Sequence, residues 1–276
     1  MIILYIQANR LVQNQKKNKQ RTKMLKKLIN TFTVLFNKKC TEKVSVIVPV
    51  YNVLPCYIEE ALESVLASTY QNIEIIVVND GSSSKETLSF LKNYNNPEVK
   101  IINQINMGLA EARNTGIKNA TGKYILPLDA DDKIEPTYIE KAVKIINSKK
   151  KIGIVYCEAD MFGAFNKNWD LPKFKIKKML KHNCIFCTAL FRKSDWEKVG
   201  GYKRIMKYGW EDYKFWLSLI ELNLKVYRIP EVLFHYRQHE KTSMISELRR
   251  DNTKMEYLRK MILTYHSDLY TKYKKS

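Results

Sequence analysis

No apolar run in these 276 residues reaches the length needed to span a bilayer, and Met1 to Ile6 is too short for the h-region of a signal peptide. Cysteine is sparse and odd in number: Cys40, Cys56, Cys157, Cys184 and Cys187 do not suggest a disulfide framework, so a reducing compartment is expected. The pair Cys184-Ile185-Phe186-Cys187 has zinc-like spacing, but no second C-x-x-C supplies the other two ligands, and the pair reads as lining of a core or pocket. Glycine is missing where a dinucleotide fold requires it. The first β-branched run ends in Pro49-Val50-Tyr51-Asn52 rather than in a glycine fingerprint, which excludes a dinucleotide-dependent dehydrogenase. Carboxylates are absent before Glu42, and the formal net charge is +20. Such a balance suggests nucleic acid, anionic lipid or an anionic substrate. The basic residues crowd the chain ends and no nucleic-acid motif accompanies them, so no nucleic-acid partner is expected. There is no internal repeat and no disordered linker.

What is present is a series of apolar strands that run into polar loops. Val44 to Val50 and Ile73 to Val78 read as buried parallel strands, and Ile58, Ala61, Leu62, Val65 and Leu66 recur at helical spacing between them. Ligands of open α/β sheets sit beyond the carboxyl ends of such strands. Asn106-Met107-Gly108 is a glycine turn opening a helix that carries Arg113. A third strand, Ile125 to Leu128, runs into Asp129-Ala130-Asp131-Asp132. In extended backbone Asp129 and Asp131 point the same way, and paired carboxylates of this kind suit Mg²⁺ or Mn²⁺ together with substrate phosphates. Alone, D-x-D is equally the composition of a solvated acidic turn.

Taken together, PVYN, VVNDGS, NMGLAEARNTGI, LDADD and GWEDYKFWLSL resemble, in order and spacing, the family 2 glycosyltransferases of GT-A fold, from about Val44 to Ser243. The resemblance implies an α/β fold, a Rossmann-like mixed sheet flanked by helices. It implies transfer of a sugar from a nucleotide diphosphate sugar, usually UDP-linked, with inversion at the anomeric carbon. The acceptor would be a hydroxyl of a glycan or lipid-linked glycan in bacterial surface polysaccharide or lipopolysaccharide synthesis. A catalytically silent nucleotide-sugar-binding protein of the same fold is the alternative.

The family's roles fall on particular residues. Asp131 matches a metal ligand for Mn²⁺ or Mg²⁺, with Asp129 bonding the ribose or sharing the metal. Asp80 matches the carboxylate that receives the base or ribose, and Pro49, Val50 and Tyr51 the wall beside the uracil. Arg113 matches an arginine near the nucleotide and D-x-D loop, where a guanidinium fork meets carboxylate or phosphate; the alternative is a helix-surface ion pair with Glu111 or another acid. Asp212 matches the catalytic base, Glu211 an acceptor-binding residue, and Trp210 offers a face for a sugar ring. His235 and His239 are two candidates for a further metal ligand. Arg237 with Lys241 to Ser243 reads either as a lid over the diphosphate or as a plain surface loop.

The resemblance implies a GT-A glycosyltransferase domain at 43–245, which leaves a basic amphipathic extension (1–42) and a basic helical tail (246–276). Leu25, Leu28, Ile29, Phe32, Leu35 and Phe36 form one helical stripe among lysines. This stripe suits either an anionic lipid surface or packing on the catalytic region, and Leu258, Met261, Ile262 and Tyr265 of the tail are candidates to pack on it. The expected location is the cytoplasmic face of the cell membrane, with peripheral contact.

Overall fold

A computed structural model describes residues 42–240, 248 and 250–274; the amphipathic stripe of the N-terminal extension and the Lys241 to Ser243 turn lie outside the described residues. Strand β1 (Val44–Val50) is buried along its whole length, as expected of a strand covered on both faces. It is followed by α1 (Pro55–Leu66), which has proline at its first turn, where no N–H is needed, and buries Ile58, Ala61, Leu62 and Val65. Then come β2 (Ile73–Asp80), α2 (Lys85–Asn93), β3 (Val99–Gln104), α3 (Leu109–Asn119) and β4 (Tyr124–Pro127). These strands pair in parallel, β3 on β2, β2 on β1 and β1 on β4. Chain order therefore reverses at β1, with β2 on one side and β4 on the other. In open α/β sheets ligands sit at such a switch point, beyond the carboxyl ends of the strands.

The sheet continues with the two-residue β5 (Lys133–Ile134), α4 (Tyr138–Ser148), β6 (Ile152–Gly163), β7 (Lys167–Trp169), the single turn α5 (Ile176–Met179), β8 (Leu190–Arg192) and α6 (Lys193–Val199). Beyond these lie α7 (Glu211–Glu221), β9 (Lys225–Gln238), α8 (Asn252–Tyr265) and α9 (Ser267–Lys274). The strand order is β3-β2-β1-β4-β8-β6-β9-β5, with β7 pairing β6. Antiparallel pairs of β8 with β4 and β6, and of β5 with β9, make the sheet mixed. Strand β9 is the main element the sequence pattern did not reveal: its exposed and buried positions do not alternate regularly, and its pairing with β6 contains register shifts. It carries His235 and Arg237, so Arg237 belongs to a strand.

The tail packs on the catalytic region. Leu258 and Ile262 are buried, His266 Nδ1 lies 2.9 Å from Glu221, and the Lys214 ammonium sits 4.5 Å from the Tyr265 ring centre. Among the described residues no helix is long and apolar enough to cross a membrane, and Cys56, Cys157, Cys184 and Cys187 carry free thiols.

Candidate active site

The loops beyond β1, β2 and β3 are tied together by short polar side chains. Asn52, in left-handed backbone at φ 53°, accepts from the Ser83 and Ser84 amides and so binds the β1 loop to the β2 loop. Pro49 and Val50 are buried, while Tyr51 is exposed. Asp80, 3% exposed, accepts from Gln104 Nε2 at 2.7 Å, from the Met107 amide at 2.8 Å and from the Gly108 amide at 2.9 Å. Its carboxylate thus fixes the loop that starts α3. A side chain at Gly81 would put Cβ 2.5 Å from the Asn106 nitrogen, which explains the glycine after Asp80.

Helix α3 delivers Arg113 into the middle of the site, 1% exposed. Its Nη2 donates to Asp129 Oδ1 at 2.6 Å and its Nη1 to Glu211 Oε1 at 2.5 Å. The pairing is with Asp129 and Glu211, not with Glu111 on a helix surface. Burial works against the charge, but Asp129, the Cys187 sulfur and Glu211 outweigh it and lift the guanidinium pKa well above its usual value. Asp129 is held from both sides, because the Cys187 thiol donates to its Oδ2 at 3.3 Å. On the far side of α3's next residue, Asn114 accepts from the Trp196 indole and the Tyr202 amide and donates to the Tyr202 carbonyl, anchoring the turn that precedes α7. Asn114 stands in the NMGLAEARNTGI motif and Cys187 in the C-x-x-C pair, but neither signal names the partner that its side chain meets.

Asp129 to Asp132 is a turn, closed by the Asp132 amide on the Asp129 carbonyl at 3.1 Å, rather than the extended backbone expected there, and the two D-x-D side chains meet different partners. Asp131 Oδ2 faces His239 Nε2 at 2.7 Å. Burial and the neighbouring Asp129 raise the Asp131 pKa. Asp132 is buried, accepts from the Arg237 amide at 2.9 Å, and leaves its Oδ2 without a hydrogen-bond partner. Arg237 also donates from Nε to the Asp131 carbonyl and from Nη2 to Glu60, and its guanidinium stacks between Tyr57 and Phe162, at 4.2 and 4.4 Å from their ring centres. Its work is to brace the acidic turn.

The two histidines diverge. His239 faces Asp131, whereas His235 places Nδ1 2.6 Å from Asp160 and Nε2 3.0 Å from Glu135, away from the acidic turn. Among the described residues no group of three or more His, Cys, Asp or Glu is arranged to hold a metal. Asp131 and His239 together offer a carboxylate and an imidazole, a two-donor pair that suits a hard or borderline divalent cation.

At the opposite edge, Gly209 (φ 120°) and Trp210 (φ 61°) turn the chain into α7. Trp210 is half-buried, with its ring edge-on to Tyr213. Glu211 turns inward to Arg113, and Asp212 accepts from the Tyr213 amide at 2.6 Å and from Asn183 Nδ2 at 3.0 Å. Burial, with the Glu211 charge beside it, pushes the Asp212 carboxyl up to about 7. A carboxylate near 7 is matched to accepting a proton at neutral pH.

Residues 45–200 match the family model described as Glycosyl transferase family 2. The chain is 35% identical over 211 residues to an uncharacterized glycosyltransferase of Rickettsia prowazekii, a match covering 71% of this chain and 64% of that protein. It is 32% identical over 243 residues to an uncharacterized glycosyltransferase of Haemophilus influenzae, covering 80% and 74%. Among solved structures, that of S. aureus TarS 1–349 in complex with UDP-GlcNAc superposes with a TM-score of 0.62 at 19% identity, covering 83% of this chain and 72% of that one. The complex of the same protein with UDP gives 0.60 at 21%, covering 71% and 60%. These likenesses bear out the α/β GT-A fold.

Proposed function

Because the chain belongs to glycosyl transferase family 2, we propose that it moves a sugar from a UDP-linked donor to a hydroxyl of a glycan or lipid-linked glycan, with inversion, in bacterial surface polysaccharide or lipopolysaccharide synthesis. The observation that carries this reading is the Arg113 bridge, since one buried guanidinium joins the acidic turn to the residue beside Asp212. A donor diphosphate at the turn and an acceptor hydroxyl at Asp212 would then meet in one crevice. UDP as the nucleotide is supported by the TarS complexes with UDP and UDP-GlcNAc.

In this mechanism Tyr51, with Pro49 and Val50 behind it, walls the base, and Asp80 orders the loop that lies against the nucleotide. Asp131 and His239 would hold Mn²⁺ or Mg²⁺, whose charge would offset that of a diphosphate leaving group. Asp129, gripped by Arg113 and Cys187, keeps the turn in place. Asp212, aimed by Asn183, takes the proton of the attacking hydroxyl as the oxygen bonds the anomeric carbon and the bond to the diphosphate breaks. Glu211 fixes the start of α7 through Arg113 and lies next to the acceptor, and Trp210 lends the acceptor an aromatic face. The basic N-terminal extension brings the enzyme to the cytoplasmic face of the membrane.

The test is UDP release from UDP-glucose, UDP-galactose and their N-acetyl forms, with Mn²⁺ or Mg²⁺. Release from at least one donor is expected. Tight binding of all donors with no release would favour the silent protein.

A further inference from the structure

The segment that aims Asp212 carries an unusual charge. Between Asp170 and Asp195 the chain has no carboxylate, and Lys173, Lys175, Lys177, Lys178 and Lys181 are all exposed. Among the described residues none of the five has an ion-pair partner. The segment is nevertheless fixed. Met179 is buried, Tyr213 Oη donates to its carbonyl at 2.5 Å, Tyr270 Oη donates to the Leu180 carbonyl at 2.8 Å, and two residues past Lys181 the Asn183 amide reaches Asp212. Five like charges on a clamped segment repel one another, and an anionic ligand relieves that repulsion.

We propose that this lysine strap binds an acceptor bearing several phosphate or carboxylate groups, and that it draws the anionic part of that acceptor along α5 so that a hydroxyl arrives at Asp212. The inference rests on the transferase reading of the site. A bilayer is the weaker occupant, because Leu171, Phe174, Ile176, Met179 and Leu180 are half-buried or buried, and the strap shows lysines without the exposed apolar side chains that insert between lipids. Fixed attachment to the helix of the candidate base also favours an acceptor over a remote anchor.

The experiment uses the full chain and fluorescent inorganic polyphosphate as the probe, read by anisotropy. The variant K175Q/K177Q/K178Q/K181Q should lose about tenfold or more in affinity, and the matching arginine variant should keep it. A control of equal charge on a distant exposed face, K144Q/K149Q/K150Q/K151Q, should bind nearly as the wild type does. Polyphosphate should also protect Lys177 and Lys178 from acetylation, and thermal melts check that each variant is folded. The proposal is overturned if the strap variant binds polyphosphate like wild type, if the control loses as much, or if only binding to phosphatidylglycerol vesicles falls. UDP release by the wild type is measured in the same preparation. A strap-specific loss without any UDP release supports the anion site and counts against the transferase reading instead.

Discussion

Arg113 Nη1 lies 2.5 Å from Glu211 Oε1, a contact between residues 98 apart in the chain, and both side chains are buried. The same guanidinium holds Asp129, so one residue sets the spacing between the acidic turn and the start of α7. Replacing Arg113 with Met leaves two carboxylates facing each other without their cation. The expected loss is about 3–5 kcal/mol in urea unfolding, with partial recovery in R113M/E211Q, where one of the two charges is removed.

Asp131→Ala should abolish metal-dependent UDP release while the thermal melt stays cooperative. Because His239 and not His235 faces Asp131, His239→Ala should weaken the metal response, read as a raised Mn²⁺ concentration for half-activity, by about 10-fold or more. His235→Ala should leave that concentration near the wild-type value. Full turnover in excess chelator would refute the metal requirement.

The pH profile should show Asp212. A base must be ionised to work, so transfer should rise with pH through about 7 and level off above it. Stability runs the other way. The folded pKa lies above the ordinary carboxylate value, so the folded state holds a proton that the unfolded state releases; Asp212 favours folding at low pH, and this contribution is lost as pH climbs from about 4 towards 7. Asp212→Asn should therefore match or exceed wild-type stability above pH 7, by up to about 4 kcal/mol, and should keep UDP binding while transfer falls about 10²-fold or more.

Gly201 sits at φ +70°, and a Cβ there would lie 2.7 Å from Asn114 Oδ1 and 2.8 Å from the Trp196 indole nitrogen. Gly201→Ala should cost about 2 kcal/mol in chemical denaturation, since it combines left-handed strain with displacement of buried hydrogen bonds.

Deleting residues 1–39 should release the protein from anionic vesicles at low ionic strength without ending UDP release, because each removed cation near such a surface contributes about 1 kcal/mol. Loss of the cooperative melt on truncation would instead make the extension part of the folded core.

Local sequence determined the strands and the loops that end them. Continuous apolar runs such as Val44 to Val50 have one stable placement, inside a covered parallel sheet, and the polar residues that follow them must then gather at its carboxyl edge. That is why the placement of Tyr51, Asp80, Asp129 and Asp131 at that edge is legible in the sequence. The partner of each charge was not. Arg113 could equally have met Glu111 on its own helix, and only the packing of α7 against α3 brought Glu211 to it. The two histidines look alike in sequence, but the pairing of β9 with β5 and β6 sets His235 opposite Lys133 and Asp160, while His239 emerges past the strand end beside Asp131. Strand register decides such choices because a shift of one residue turns every side chain to the other face, and the pairing of β9 with β6 contains register shifts that the sequence pattern does not announce.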